Sequence, residues 1–189
     1  MSRPPKARQA VLDAARHIVR ERGAGHLTYD ELVQHSGVTR GGITYHFPTK
    51  NDLLRELINC DIKQWREIEQ QLKPNMENEE AAELIAYIRS HTERNEDRCR
   101  FVSGMLSAVT LDPSLLDPVR VFLKNRDDGR DWTDRQLMLE LLRLASEGLF
   151  WAELFASHEL PPVVRTRFVA MMERLAEDWT NADGTFDCS

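Results

Sequence analysis

Apolar residues recur at helical spacing almost from one end of this chain to the other, and no segment alternates apolar and polar residues long enough to make a strand. That property restricts the chain to an all-α architecture, in which each helix must bury an apolar stripe against its neighbours. With 189 residues, 41% of them hydrophobic and 30% charged, there is material for a real core, and disordered or collagen-like chains are excluded. No apolar run approaches the roughly 20 residues that span a bilayer. The Arg/Lys-bearing start also lacks the apolar block of a signal peptide, so no membrane association and a cytoplasmic location are expected.

Capping signals divide the pattern. A first helix begins after Pro4-Pro5, carries Ala10, Val11, Ala14, Ala15, Ile18 and Val19 on one stripe, and ends at Gly23 and Gly25. Thr28 with Glu31 opens a short second helix that Gly37 stops, Thr39 caps a third of barely two turns, and Thr49 with Asp52 opens a long fourth. Further helices are expected over about 78–94 and 97–110. Another runs from an Asp112-Pro113 cap toward 126, one from Thr133 to about 157, and a last from Pro161-Pro162 to Trp179. The tail from Asn181 reads as frayed.

Several chemistries are absent from the sequence. Cys60, Cys99 and Cys188 are odd in number and form no CxxC, so neither a disulfide framework nor a zinc site is expected, although a thiol switch at Cys60 or Cys99 stays open. No two of the six histidines fall three or four residues apart, the spacing that puts a pair of imidazole ligands on one helix face. With no nucleophile elbow or Walker loop either, no enzyme, no cofactor and no metal are expected. Net charge is −6, but residues 1–50 carry eight basic and four acidic side chains, against seventeen and twenty-seven in the remainder. A basic front on an acidic body suits a front that meets a polyanion; a solvated face is the plainer alternative.

Within that front, residues 28–45 read as helix, tight turn at Gly37, helix, the arrangement that lays its second helix in the major groove of DNA. Gly41 and Gly42 each cost that helix roughly 1 kcal/mol relative to alanine, and bare faces there permit close approach to phosphates and bases. Arg40 is the candidate for base readout, since a guanidinium grips the O6 and N7 acceptors of guanine bidentately. Thr39 and Thr44 are within reach of base edges or phosphate; Tyr45, His46 and Lys50 suit phosphate, as does Thr28 at a neighbouring helix N-terminus. Arg3, Lys6 and Arg8 read as a flexible arm ahead of the first helix. Thr28, Thr39 and Thr49 can also be caps alone, and Tyr45 a cover for the small core.

The stretch "LTYDELVQHSGVTRGGITYHFPTKNDLL", residues 27–54, resembles the DNA-binding signature of TetR-family transcriptional regulators, and in character the chain is nearest to their multidrug-binding repressors. The matching features are a Thr-initiated helix, Gly-Val-Thr, a variable residue and Gly, an aromatic-His-Phe close and a Lys-bearing helix start. That match covers the first quarter of the chain. The family often has two adjacent tyrosines before its His-Phe pair, whereas this chain has Thr44-Tyr45, which leaves Tyr45 as the aromatic phosphate contact.

The resemblance implies about nine helices: a three-helix DNA-binding domain at 1–50 and a larger helical effector-binding and dimerisation domain at 51–189. It also implies a homodimer that presents two recognition helices to double-stranded operator DNA. The helix from 134 to 157 is apolar around most of its circumference and has a ridge of small residues at Ala145, Gly148 and Ala152 that allows close helix approach; the resemblance implies that it and the last helix form the dimer surface, with monomer core as the alternative. A small-molecule effector, hydrophobic or cationic, is expected against Trp65, Phe101, Met105, Trp132, Trp151 and Phe155, with Glu147 as a counter-charge. Arg143, four residues before Glu147, offers an ion pair instead. The functional reading is a repressor relieved by such an effector. A ligand-independent DNA-architectural protein and a thiol-based redox-sensing regulator are the alternatives.

Overall fold

The computed structural model describes residues 4–181, and nine α-helices and two short 3-10 turns make up the regular structure found there. Helices α1 (Pro4–Arg22), α2 (Tyr29–Ser36), α3 (Arg40–His46) and α4 (Lys50–Leu72) are followed by α5 (Glu79–Thr92) and α6 (Glu96–Leu111). Then come α7 (Asp117–Asp127), α8 (Asp134–Leu154) and α9 (Pro162–Asn181), with the 3-10 turns at Ala24–His26 and Pro113–Leu116. The all-α expectation and the helix order hold. Asn181, where the tail is expected to begin, closes α9, and Arg3, Cys188 and the rest of that stretch from Ala182 onward lie outside the described residues.

The cap signals act as their spacing suggests. Thr28 accepts from the Glu31 N–H at 3.2 Å and Thr39 from the Gly42 N–H at 3.3 Å. Asp52 accepts from both the N–H and the hydroxyl of Thr49. Asp112 caps as expected, accepting from the Ser114 N–H at 3.0 Å. The helix it opens is interrupted, because Pro118 has no N–H to continue the ladder; a 3-10 turn therefore precedes α7. Pro4 falls inside the first turn of α1, where a missing N–H costs nothing.

The chain forms two compact units. The first comprises 1–63 and 95–128, the second 64–94 and 129–189. Thus α6 packs on α1 and α7 falls in the same unit, whereas the resemblance implies one domain for everything after residue 50. The core of the first unit joins Val11, Ala15, Ile18, Val19, Leu32, Ile43, Phe47, Leu53, Leu54 and Leu57 to Phe101, Met105 and Leu115. One contact fixes this packing: a Cβ placed on Gly104 would lie 2.1 Å from the Val19 carbonyl oxygen, so α6 crosses α1 where only hydrogen fits. Beside that crossing, Arg16 stacks over Phe101 at 4.5 Å and reaches Asp61 at 3.3 Å and Asp97 at 3.4 Å. Burial raises the Asp61 carboxyl above its ordinary value, opposed by the charges of Arg98 and Arg16.

In the second unit α5, α8 and α9 pack on one another around Leu84, Ile85, Ile88, Leu139, Leu142, Leu149, Met172 and Ala176. Arg89 clamps the Glu173 carboxylate with two bonds of 2.9 and 2.8 Å, tying α5 to α9. No helix among the described residues is long and apolar enough to cross a membrane.

Candidate nucleic-acid interface

Local chemistry sets the geometry of α2 and α3. Gly37 takes φ 67°, the left-handed conformation that costs glycine least, and its N–H bonds the Val33 carbonyl at 3.0 Å to end α2. The Ser36 hydroxyl accepts from the Val38 N–H at 3.1 Å, turning the chain into the Thr39 cap. The seven-residue α3 then has two distinct sides. Ile43 is fully buried in the first core, whereas Arg40 and Gly41 are exposed and the Tyr45 ring is 81% exposed. A large aromatic held out in water beside an exposed arginine, on a helix with a firmly packed back, is a surface built to meet something.

The two glycines have different roles. Gly41 is exposed and has no heavy atom within 4 Å of where a Cβ would stand, so no packing contact within the chain requires a glycine there. Gly42 faces inward, its Cβ position being 2.9 Å from Val38 Cγ1. This corrects the reading that both glycines thin the outer face: Gly42 lets the turn tuck under the helix.

The other expected contacts surround this face. The Thr44 hydroxyl donates back to the Arg40 and Gly41 carbonyls at 3.1 and 3.2 Å, and the residue is half-buried. His46 packs edge-on to Tyr45, with ring centroids 5.2 Å apart. Lys50 opens α4; partial desolvation of its ammonium holds its pKa below the ordinary lysine value, and an adjacent phosphate would reverse that. Thr28, Thr49 and Lys50 line one small groove together with Tyr29 and Phe47. Across the back, Arg22 pairs with Glu31, and that bond lowers the Glu31 carboxyl.

Lys6 and Arg8 do not form an arm. Both lie in α1, and Arg8 is engaged, bonded to Glu56 and 5.3 Å over the Phe47 ring. The arm expectation failed because α1 already begins at Pro4, a proline being tolerated in a first turn, so Lys6 and Arg8 fall inside the helix rather than ahead of it.

The residues expected to hold an effector do not form one cluster. Phe101 and Met105 belong to the core of the first unit, at 2% and 4% exposure. Trp132, 6.0 Å from the Arg130 guanidinium, Trp151 and Phe155 are all exposed; the last two stack at 5.8 Å on the outer side of α8. Trp65 and Glu147 do converge, on Tyr87. The Trp65 ring lies 5.6 Å from Tyr87 and 4.6 Å from His91, and its indole N–H donates to Ser90 at 2.8 Å. Glu147 accepts from the Tyr87 hydroxyl, while Arg143 sits over the Tyr87 ring at 5.3 Å and pairs with Glu140 at 3.7 Å. Tyr87 and His91 were missed in the sequence, although their i, i+4 spacing puts both on one face of α5. Burial pushes the Cys60 thiol up, opposite to what a thiolate sensor requires. No group of three or more His, Cys, Asp or Glu among the described residues is placed to hold a metal ion.

On α8, Leu137, Leu141, Leu144, Gly148 and Trp151, with Phe155 at its C-cap, are exposed at alternating spacings of four and three, while Leu139, Leu142, Ser146 and Leu149 are buried. Val163, Val164 and Met171 add an exposed apolar strip on α9. Burying one face of α8 leaves a second apolar face uncovered, a seam suited to another helix.

Comparison with known proteins agrees with this architecture. A transcriptional regulator from Rhodococcus sp. Rha1 superposes with a TM-score of 0.65 at 18% identity, covering 94% of this chain and 97% of that one, which shows the shared fold. The HTH-type transcriptional repressor BepR of Brucella suis is 40% identical over 53 residues, 28% of this chain and 25% of BepR. The HTH-type transcriptional regulator AcrR of Shigella flexneri is 26% identical over 113 residues, 53% of each chain. The chain thus spans between a quarter and about half of the length of these curated relatives. Residues 11–57 match the bacterial regulatory proteins of the tetR family, and residues 81–177 match the tetracyclin repressor-like C-terminal domain. With both regions matched, the second alone over half the chain, the chain belongs to the TetR family of transcriptional regulators.

Proposed function

We propose that the chain is a sequence-specific operator-binding repressor, acting as a homodimer and released by a small hydrophobic or cationic effector. The observation that carries this reading is the two-sided α3, with Ile43 sealed in the core and Arg40, Gly41 and Tyr45 turned outward. Arg40 reads a base edge, Gly41 allows close approach, and Thr39 and Thr44 touch base or phosphate. Tyr45, His46, Lys50 and Thr28 hold phosphates, and for the threonines capping and phosphate contact are compatible.

DNA binding rests with residues 1–50, and pairing and effector binding with 51–189. The uncovered seam of α8 and α9 supports a two-fold dimer, which sets two copies of α3 at the separation of successive major grooves. BepR is named a repressor, and this chain is assigned the same sign of action. The aromatic group of Trp65, Tyr87, His91 and Phe150, with the Glu147 carboxylate beside it, supports a planar apolar or cationic effector. A cation there competes with Arg143 for the face of Tyr87, so release of Arg143 accompanies binding.

Selection of duplexes from a random-sequence library by the wild-type protein tests the reading. An inverted repeat with half-sites about one helical turn apart is expected. Enrichment of no sequence, or of an unpaired asymmetric site, contradicts it.

A further inference from the structure

Resting on the operator-reading assignment of α3, we infer that Tyr29 is the positioning residue that holds Arg40 ready for base readout. The Arg40 guanidinium lies 5.0 Å from the centroid of the Tyr29 ring, a cation–π contact between the first residue of α2 and the first of α3. The ring is itself held at two places. It is half-buried against the core of the first unit, and its hydroxyl donates to the Pro48 carbonyl at 3.4 Å, reaching the turn between α3 and α4.

The chemistry of the pair favours recognition over simple packing. A guanidinium lying on an aromatic face spends only its face on the ring, so its in-plane N–H donors stay free for a bidentate grip on guanine. An arginine at the start of an exposed short helix otherwise samples many rotamers and loses affinity on being ordered. No carboxylate among the described residues pairs with Arg40, so the ring supplies its restraint without neutralising its charge. Tyr29 also lines the groove shared by Thr28, Thr49 and Lys50, which sets the base-reading side chain in register with the phosphate-facing ones. Tyr29 touches no base in this scheme and acts through Arg40.

The test uses the full-length protein and a duplex selected by the wild type from a random library, together with all single base-pair variants of that duplex. Tyr29→Leu removes the ring and keeps apolar bulk; Tyr29→Phe keeps the ring and removes the bond to Pro48. The expected result for Tyr29→Leu is a roughly two- to fivefold loss of discrimination at the base pair that Arg40→Ala also relaxes. Affinity for unrelated duplex and the salt slope should stay unchanged, Tyr29→Phe should keep wild-type discrimination, and Tyr29→Leu should add nothing in an Arg40→Ala background. Equal weakening on every duplex, wild-type discrimination in Tyr29→Leu, or an effect that persists without Arg40 overturns the inference, and thermal melting of Tyr29→Leu shows whether its fold is intact. If the wild type itself selects no sequence, the operator reading falls and this inference with it; if the wild type selects and Tyr29→Leu selects alike, this inference alone falls.

Discussion

Replacing Gly104 by alanine tests the packing that supports the DNA-binding helices. The added methyl would stand 2.1 Å from the Val19 carbonyl oxygen, 3.0 Å from its carbonyl carbon and 3.1 Å from Val19 Cγ1. Two of these neighbours are backbone atoms that cannot rotate away, so α6 and α1 must part by roughly 1 Å, a displacement at which close-packed contacts lose much of their attraction. Such overpacking costs about 3 kcal/mol, the upper end of its usual range, because every contact along the crossing is loosened. The higher helix propensity of alanine returns about 1 kcal/mol. A net loss of about 2 kcal/mol lowers the melting temperature of a chain this size by roughly 4–8 °C. Calorimetry of Gly104→Ala beside the wild type provides the measurement. A variant that melts at or above the wild-type temperature would refute the close crossing and the core built around it.

Gly41→Ala is expected to behave in the opposite way: no heavy atom stands within 4 Å of its Cβ position, so the helix gains up to roughly 1 kcal/mol in thermal stability, while affinity for the selected duplex falls because the outer face has thickened. Improved stability with undiminished DNA binding would mean that the bare face has no role. Leu141→Glu places a charge in the α8 seam at a residue 58% exposed in the single chain, so sedimentation should show a dimer become a monomer with little change in helicity; a persistent dimer would move the interface elsewhere. The hydroxyl and N–H of Ser114 hold the Asp112 carboxyl below its ordinary value, so the stabilisation is present above the usual aspartate range and is lost as pH falls through the folded value. The stability difference between wild type and Asp112→Asn, by urea melts at roughly pH 7 and pH 3, should therefore shrink on acidification; a gap that is constant or widens contradicts the assignment.

Local signals in the sequence translated directly into structure. Thr28, Thr39 and Asp112 were legible as caps because the competing interaction, a side-chain oxygen on an N–H two or three residues ahead, is itself local. Arg40, Gly41 and Tyr45 were legible as an outer face because Ile43 and Phe47 mark the opposite side. What stayed hidden is non-local. Gly104 looks like an ordinary propensity defect until α1 is seen to cross it, and the adherence of α6 and α7 to the first unit depends on Phe101, Met105 and Leu115 meeting residues far away in sequence. The expected effector residues scattered for the same reason: an aromatic on an apolar helix serves core, seam or pocket alike, and only neighbours on other helices decide which. Tyr29 escaped notice because its partner sits on a different helix.

The central claim, that α3 reads bases while its surroundings hold phosphates, is tested most directly by comparing Arg40→Ala with Lys50→Ala on a selected duplex and its single base-pair variants across a salt titration. The account expects Arg40→Ala to relax preference at one base pair by about 1–3 kcal/mol and leave the others intact. It expects Lys50→Ala to weaken all duplexes alike and flatten the salt dependence by about one counterion. Two variants that lose affinity identically on every duplex and at every salt concentration would contradict it.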